Sequence, residues 1–379
     1  MKNDLAIYIH WPFCKSKCPY CDFNSHVREN IDQDSWETAY LKEIDNFKDI
    51  IEGRYIGSIF FGGGTPSLMP PIIAEKIIDK FSKISQIDNK TEITLEANPT
   101  SVEIKNFKSL KSVGINRVSL GIQSLNSKHL EFLGRNHSAN EAKEAISFAR
   151  EIFNNYSFDL IYTLPNQTLG SWEKELTYAL EFAGNHLSLY QLTIEKGTKF
   201  YSDYKNKKFS LPNDDESALF YQLTQDIMNT NGLPAYEISN HAKAGYECKH
   251  NLAYWKYKEY LGIGPGAHSR INNQALIMIH HPENWLEKIM SSNSAIQSQE
   301  DLNIQDKISE ILLMGLRLNE GINLEDYKTK LNVDLLEYIK LSKLQQLQEL
   351  GLLEHKTPNI VLTPKGFLVT NKIISELLN

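Results

Sequence analysis

Cysteine is scarce: four residues in a chain of 379 do not make a disulfide framework. Three of the four crowd into positions 14–21, a spacing that reads as metal ligation in a reducing compartment. Positive charge is short too, with 40 Lys and Arg against 47 Asp and Glu. A net charge of −7 leaves no cationic excess to release counterions from phosphates, so non-specific binding of nucleic acid is excluded. Apolar runs of membrane-spanning length are missing. Leu5–Ile9, directly after Met1–Asp4, is shorter than the apolar core of a signal peptide, so no targeting segment is expected and the cytoplasm is the expected location. Internal repeats and low-complexity tracts are absent as well. What remains is ordinary globular composition, 41% hydrophobic and 23% charged. The length calls for one large domain and a smaller one.

Short β-rich runs alternate with helical patterns through the first half, the sign of a parallel α/β sheet or barrel. Six strands are expected, at Leu5–His10, Ser58–Phe61, Glu92–Ala97, Arg117–Gly121, Ser157–Tyr162 and Leu187–Thr193. Between them lie helices with apolar residues near a 3.6 spacing, such as Ile73, Ile77, Phe81 and Ile84, or Ala142, Ala145, Ile146, Ala149 and Ile152. Another runs from Ser101 to Gly114. The pattern loosens from Thr198 to Ser292, then returns as two helical faces followed by a hairpin around Thr357-Pro358-Asn359 and a helix opening at Thr363-Pro364. The expected fold is α/β: a partial (β/α)6 barrel over 1–200, an extension over 201–292, and a small, mainly helical, winged-helix-like domain over 293–379. Residues 301–379 hold nine Lys and Arg against eleven Asp and Glu, which disfavours docking in a DNA groove. Packing on the barrel or on a protein partner is expected instead.

Cys14-Lys-Ser-Lys-Cys18-Pro-Tyr-Cys21 follows the first strand, so three thiolates share one short loop at that strand's C-terminal end. Three soft ligands suit an iron-sulfur cluster, and they leave one iron of a four-iron cluster free for a ligand with amino and carboxylate groups. A zinc site would need a fourth donor such as His10, His26, Asp22 or Cys248.

This loop, with Tyr8-Ile-His10-Trp-Pro-Phe13 ahead of it, resembles the CxxxCxxC signature of the radical S-adenosylmethionine (SAM) superfamily. The resemblance implies a 4Fe-4S cluster on Cys14, Cys18 and Cys21 whose open iron chelates the methionine part of SAM. An electron from that cluster splits the sulfonium to methionine and a 5′-deoxyadenosyl radical, with the protein supplying position and exclusion of water. Gly62-Gly63-Gly64-Thr65-Pro66 follows the second strand, where residues without side chains let backbone approach a ligand. Glu96, Gln123 and Asp159 lie in or just past the third, fourth and fifth strands, the first two at C-terminal ends, where barrel sites are built. The resemblance implies SAM contacts from Tyr8, Gly63, Gly64, Thr65, Glu96, Gln123, Arg135 and Asp159, and it assigns no catalytic residue.

Across nearly its whole length the chain is similar to the group that contains oxygen-independent coproporphyrinogen III dehydrogenase and a haem-chaperone branch. The dehydrogenase carries a fourth cysteine two positions after the third, where Phe23 stands here, and an N-terminal extension. Both departures disfavour decarboxylation to protoporphyrinogen IX, the alternative activity. Five of the eleven histidines, His241, His250, His268, His280 and His281, fall within 41 residues among several tyrosines. Imidazole is a common haem ligand and aromatic rings offer stacking area. His250-Asn251-Leu-Ala-Tyr254-Trp255, with Cys248 just before it, resembles the HNxxYW motif of the chaperone branch. It implies a haem site with His250 as first choice of ligand and Cys248 as second. Leu261-Gly-Ile-Gly264-Pro-Gly266-Ala-His268 is expected to form a close-packed turn near that site. The resemblance further implies delivery of haem to haem-requiring respiratory enzymes, transient membrane contact and a homodimer.

Overall fold

The computed structural model describes residues 4–292 and 294–378. Eleven strands form one large sheet, in the order Ile296–Asp301, Gln274–Met278, His268–Ile271, Tyr260–Ile263, Asp4–Trp11, Tyr55–Gly63, Glu92–Ala97, Arg117–Gln123, Asn155–Tyr162, His186–Gln191 and Asn240–Ala242. From Tyr260–Ile263 to His186–Gln191 the pairing is parallel throughout, and antiparallel strands finish both edges. The six expected strands are adjacent and in sequence order. A further parallel strand comes from residues 260–263, with Ala6 opposite Tyr260 and Ile9 opposite Ile263.

Helices return each parallel strand to the start of the next, and their ends carry the residues that such ends need. Ser138 and Glu141 form a reciprocal capping box at the helix Ala139–Ile152, as do Asn213 and Glu216 at Asp214–Thr230. The helix Pro71–Ile84 buries Ile73, Ala74, Ile77, Ile78 and Phe81, an i, i+4 stripe facing the sheet. Behind the first strand, Trp11, Trp36, Tyr40 and Trp285 pack in stacked and edge contacts with ring centroids 5.2–6.3 Å apart.

A second hydrophobic cluster runs from Ile308 to Leu377, in which helices pack on a small sheet of Ile322–Asn323, Asn359–Leu362 and Leu353–Lys356. It is fastened to the large sheet by polar links: Arg270 with Glu310 at 2.7 Å, and Asn319 Nδ2 donating to the Ala235 carbonyl at 2.5 Å. Among the described residues no helix is long and apolar enough to cross a membrane.

Candidate functional site

Parallel strands end together, so the loops at their C-terminal ends converge on one mouth. Cys14, Cys18, Cys21, Gly63, Gly64, Thr65, Glu96, Gln123, Arg135 and Asp159 border a single cavity of about 220 Å³ there. Tyr8 does not: its hydroxyl donates to His10 Nδ1 at 3.0 Å and its ring stacks over Phe60, within the barrel.

Each cysteine has its own polar neighbour. Thr65 Oγ1 donates to Cys14 Sγ at 3.4 Å, Arg135 Nη1 donates to Cys18 Sγ at 3.3 Å, and Ser25 Oγ lies 3.8 Å from Cys21 Sγ. Burial pushes the Cys14 and Cys21 thiols up, so unliganded they stay protonated. A bound metal cluster reverses that balance, because a coordinating thiol is deprotonated outright. The donors then meet thiolate sulfurs, the kind of contact that tunes iron-sulfur clusters. Three half-buried sulfurs on one loop, each with a polar neighbour, fit an iron-sulfur cluster.

The glycine run holds that loop. Gly64 N–H donates to the Trp11 carbonyl at 2.7 Å and Thr65 N–H to the Phe13 carbonyl at 2.9 Å, so the backbones of the two loops lie flat on each other. A Cβ on Gly64 would sit 2.7 Å from the Phe13 carbonyl oxygen, which no larger residue avoids.

Deeper in the cavity stand Glu96 and Asp159. Burial raises Glu96 to about 8, with the negative charge of Asp159 adding to it, and burial raises Asp159 to about 6. Gly63 N–H reaches Glu96 at 3.3 Å, while Ser119 Oγ at 3.5 Å and Ser188 donate to Asp159, and the charges of Arg117 and Arg135 offset part of its burial. A ligand bringing hydroxyls or positive charge lowers the cost of ionising both carboxylates, and SAM, with its ribose, ammonium and sulfonium, brings all of these. Gln123 ends its strand at φ 70°, strained for a side chain with a Cβ, beside a register shift that turns it to the cavity.

Sequence reasoning missed two residues. Asn98 accepts from Arg135 Nη2 at 2.6 Å and donates to Thr65 at 3.1 Å, tying the guanidinium to the threonine over Cys14. Glu103 receives Asn98 N–H at 2.6 Å and bonds Ser67. The only signal was their place directly after the third strand.

The structure separates the haem candidates from this mouth. The helix Lys249–Trp255 packs inside the opposite, N-terminal end of the barrel. His250 is 1% exposed, with Nδ1 3.0 Å from Ser58 Oγ, Nε2 2.8 Å from the Tyr254 hydroxyl, and its ring stacked on Phe60 at 4.9 Å. Burial drives its pKa down to about 3. Cys248 is buried against Glu92 at 3.5 Å and pushed up to about 12. Asn251 and Trp255 are half-buried on the same helix. With both imidazole nitrogens occupied, His250 is free to ligate iron only when this helix leaves the barrel. The five clustered histidines therefore divide: His241 and His250 are buried, whereas His268, His280 and His281 are exposed. The segment 261–268 is close-packed, and it follows Tyr260, whose ring meets Tyr254 at 4.6 Å. Gly264 packs on the His10 carbonyl and Gly266 on Asn24, behind the cysteine loop.

From the cavity a wider cleft of about 1090 Å³ runs past Tyr190 and Tyr221 to Arg317, Phe367 and Lys372 of the C-terminal unit. Space for a larger molecule is thus continuous with the cysteine loop.

Comparison with known proteins agrees with this geometry. Residues 8–179 match the Radical SAM superfamily and residues 302–369 match the HemN C-terminal domain. Heme chaperone HemW of Buchnera aphidicola subsp. Schizaphis graminum is 35% identical, over 99% of this chain and 98% of its own. HemW of Bacillus subtilis is 32% identical, over 98% and 99%. Radical S-adenosyl methionine domain-containing protein 1, mitochondrial, of Dictyostelium discoideum is 37% identical, over 99% and 94%. The solved structure of coproporphyrinogen III oxidase (HemN) from Escherichia coli superposes with a TM-score of 0.84 at 22% identity, covering 100% of this chain and 91% of that one, which establishes the shared fold.

Proposed function

The chain belongs to the HemW family of radical SAM proteins, and from that premise we propose that it is a haem chaperone that holds a 4Fe-4S cluster and SAM at the mouth of its barrel. The observation that carries the reading is the cavity at Cys14, Cys18 and Cys21, with a polar neighbour on each sulfur and two carboxylates of raised pKa on its inner wall.

Cys14, Cys18 and Cys21 hold the cluster, which when bound supplies an open iron and an electron for SAM. Gly63, Gly64 and Thr65 would line the cavity beside the cluster, and Glu96, Gln123, Arg135 and Asp159 would orient SAM there. Arg135 also sets its positive charge against Cys18. Asp159 and Glu96 give up their protons as the ligand's hydroxyls and positive charge arrive. Within this reading haem passes to respiratory enzymes from the cytoplasm, with transient contact at the membrane and a homodimer as the working form. The HNxxYW helix joins haem binding only in an opened state, with His250 and then Cys248 as ligands.

Anaerobic reconstitution followed by titration with haem, with and without SAM, tests the reading. Saturable haem binding, and transfer of that haem to a haem-free respiratory enzyme, are expected. Formation of protoporphyrinogen IX from coproporphyrinogen III would overturn it in favour of the dehydrogenase.

A further inference from the structure

The strand Arg117–Gln123 carries an extra residue where it meets the cavity. Against the strand Asn155–Tyr162, Leu120 stands opposite Phe158 and Gln123 opposite Leu160, so three residues on one side run against two on the other. A bulge of this kind disrupts the ladder and bends the strand that holds it. Side chains bond the carbonyls within it: Arg135 Nη2 donates to Gly121 at 2.7 Å and His137 Nε2 donates to Ile122 at 3.0 Å. Gln123 leaves the bulge at φ 70° and lines the cavity.

A residue with a Cβ keeps that left-handed conformation only where its surroundings impose it. Directly after Gln123 the chain is gripped by a carboxylate 50 residues beyond Leu125. Glu175 Oε1 accepts the Ser124 hydroxyl and the Leu125 N–H, the latter at 2.9 Å. Its Oε2 lies 3.2 Å from His129 Nδ1. Ser124 Oγ in turn accepts the Asn126 N–H at 3.0 Å, so carboxylate, hydroxyl and backbone form one connected cluster.

Glu175 stands where an apolar residue would pack better. It follows Trp172 by three positions and precedes Ala179 by four, on the face of the helix Leu169–Leu180 that buries both, and its side chain is 9% exposed. A carboxylate placed there loses hydration. Burial opposes its charge, yet the bonds from His129, Ser124 and Leu125 hold it below the ordinary carboxylate value. Glu175 is therefore an anion, which only accepts, and these three donors all lie in the turn and short helix that follow Gln123.

We propose that Glu175 is a positioning residue for SAM: it fixes Ser124 and Leu125, and through them holds Gln123 in the conformation that aims its side chain into the cavity. Glu175 does not itself border that cavity. Its role rests on the reading of Gln123 as a SAM contact.

SAM affinity is measured by equilibrium dialysis of the anaerobically reconstituted full chain, at matched iron content, for wild type, Q123A, E175A, E175Q and Q123A/E175A. Q123A and E175A should each weaken SAM about tenfold, the scale of one hydrogen bond to a charged ligand. The double variant should bind no more weakly than either single one, because both changes remove the same contact. E175Q keeps an oxygen for Ser124 and Leu125 and should stay near wild type. Should circular dichroism show E175A unfolded, S124A makes the same comparison, since it removes the hydroxyl and leaves Leu125 and His129 on the carboxylate. Unchanged affinity in Q123A takes Gln123 out of the SAM site, and the role of Glu175 falls with it. If Q123A weakens SAM but E175A only lowers the melting temperature, Glu175 merely caps the helix Ser127–Phe132, and the positioning role is wrong while Gln123 keeps its place. Losses that multiply in the double variant, or E175Q as weak as E175A, overturn it in the same way.

Discussion

The Glu92 carboxylate accepts the backbone N–H of Lys249 at 3.0 Å, across 157 residues of chain. The same oxygen lies 3.4 Å from His250 N and 3.5 Å from Cys248 Sγ. One acidic residue at the start of a barrel strand thus caps the short helix that carries the HNxxYW motif, matching negative charge to free amides. Replacing Glu92 with Ala leaves those donors buried and unpaired, at a cost of about 1–3 kcal/mol. Denaturant unfolding should show that loss, and Cys248 should become reactive toward a thiol reagent in the native protein. Unchanged stability with Cys248 still inert would contradict the capping role.

The alkaline limb of stability follows from buried carboxylates. Burial holds Glu43 and Glu237 at about 7 and Glu96 at about 8, all above an ordinary value of 4.5. Between pH 6.5 and 8 the folded chain keeps protons that the unfolded chain has released, so stability falls as pH rises. Buried His10, His137, His241 and His250 are lowered to about 4, 4, 4 and 3 and work the other way, but only below their ordinary value of 6.5. The unliganded protein is therefore expected to lose stability from pH 6.5 to 8. Glu43 accepts from Gly264 N–H and Trp285 Nε1–H, so E43Q should make that slope shallower. Parallel curves for E43Q and wild type would refute the assignment.

Gly64→Ala tests the contact between the two loops. Its Cβ would meet the Phe13 backbone at 2.7 Å, and the strain, about 1–3 kcal/mol for overpacking, falls on the segment carrying Cys14. Lower iron content after reconstitution is expected, with the far-ultraviolet spectrum unchanged. Full iron content would show that the loops part without consequence.

Arg135 gives a redox prediction. Its guanidinium donates to Cys18 Sγ at 3.3 Å and to the Gly121 carbonyl at 2.7 Å. Replacing it with Met removes a positive charge and a hydrogen bond from one ligand sulfur, which disfavours the more negative, reduced cluster. The R135M potential should move down, measured by spectroelectrochemistry on protein of matched iron content. An equal or higher potential would contradict this.

What the sequence made legible was local. The cysteine spacing, the alternation of strands and helices, and the positions of Glu96 and Gln123 near strand ends can be read from short windows, and the large sheet follows them. Residues far apart in the chain behaved differently. Nothing near Tyr260 announces that it lies beside Ala6, because parallel pairing leaves no mark on the intervening turn. The histidine- and tyrosine-rich stretch looked like one binding surface, but an imidazole satisfied by Ser58 and Tyr254 is as stable inside as outside.

The most direct test of the account is the electron paramagnetic resonance spectrum of the reduced, anaerobically reconstituted chain, recorded with and without SAM. The account predicts a four-iron cluster signal that SAM alters, and that Ala at Cys14, Cys18 or Cys21 abolishes. A chain that binds no iron or sulfide, or a cluster signal that SAM leaves untouched, would contradict it.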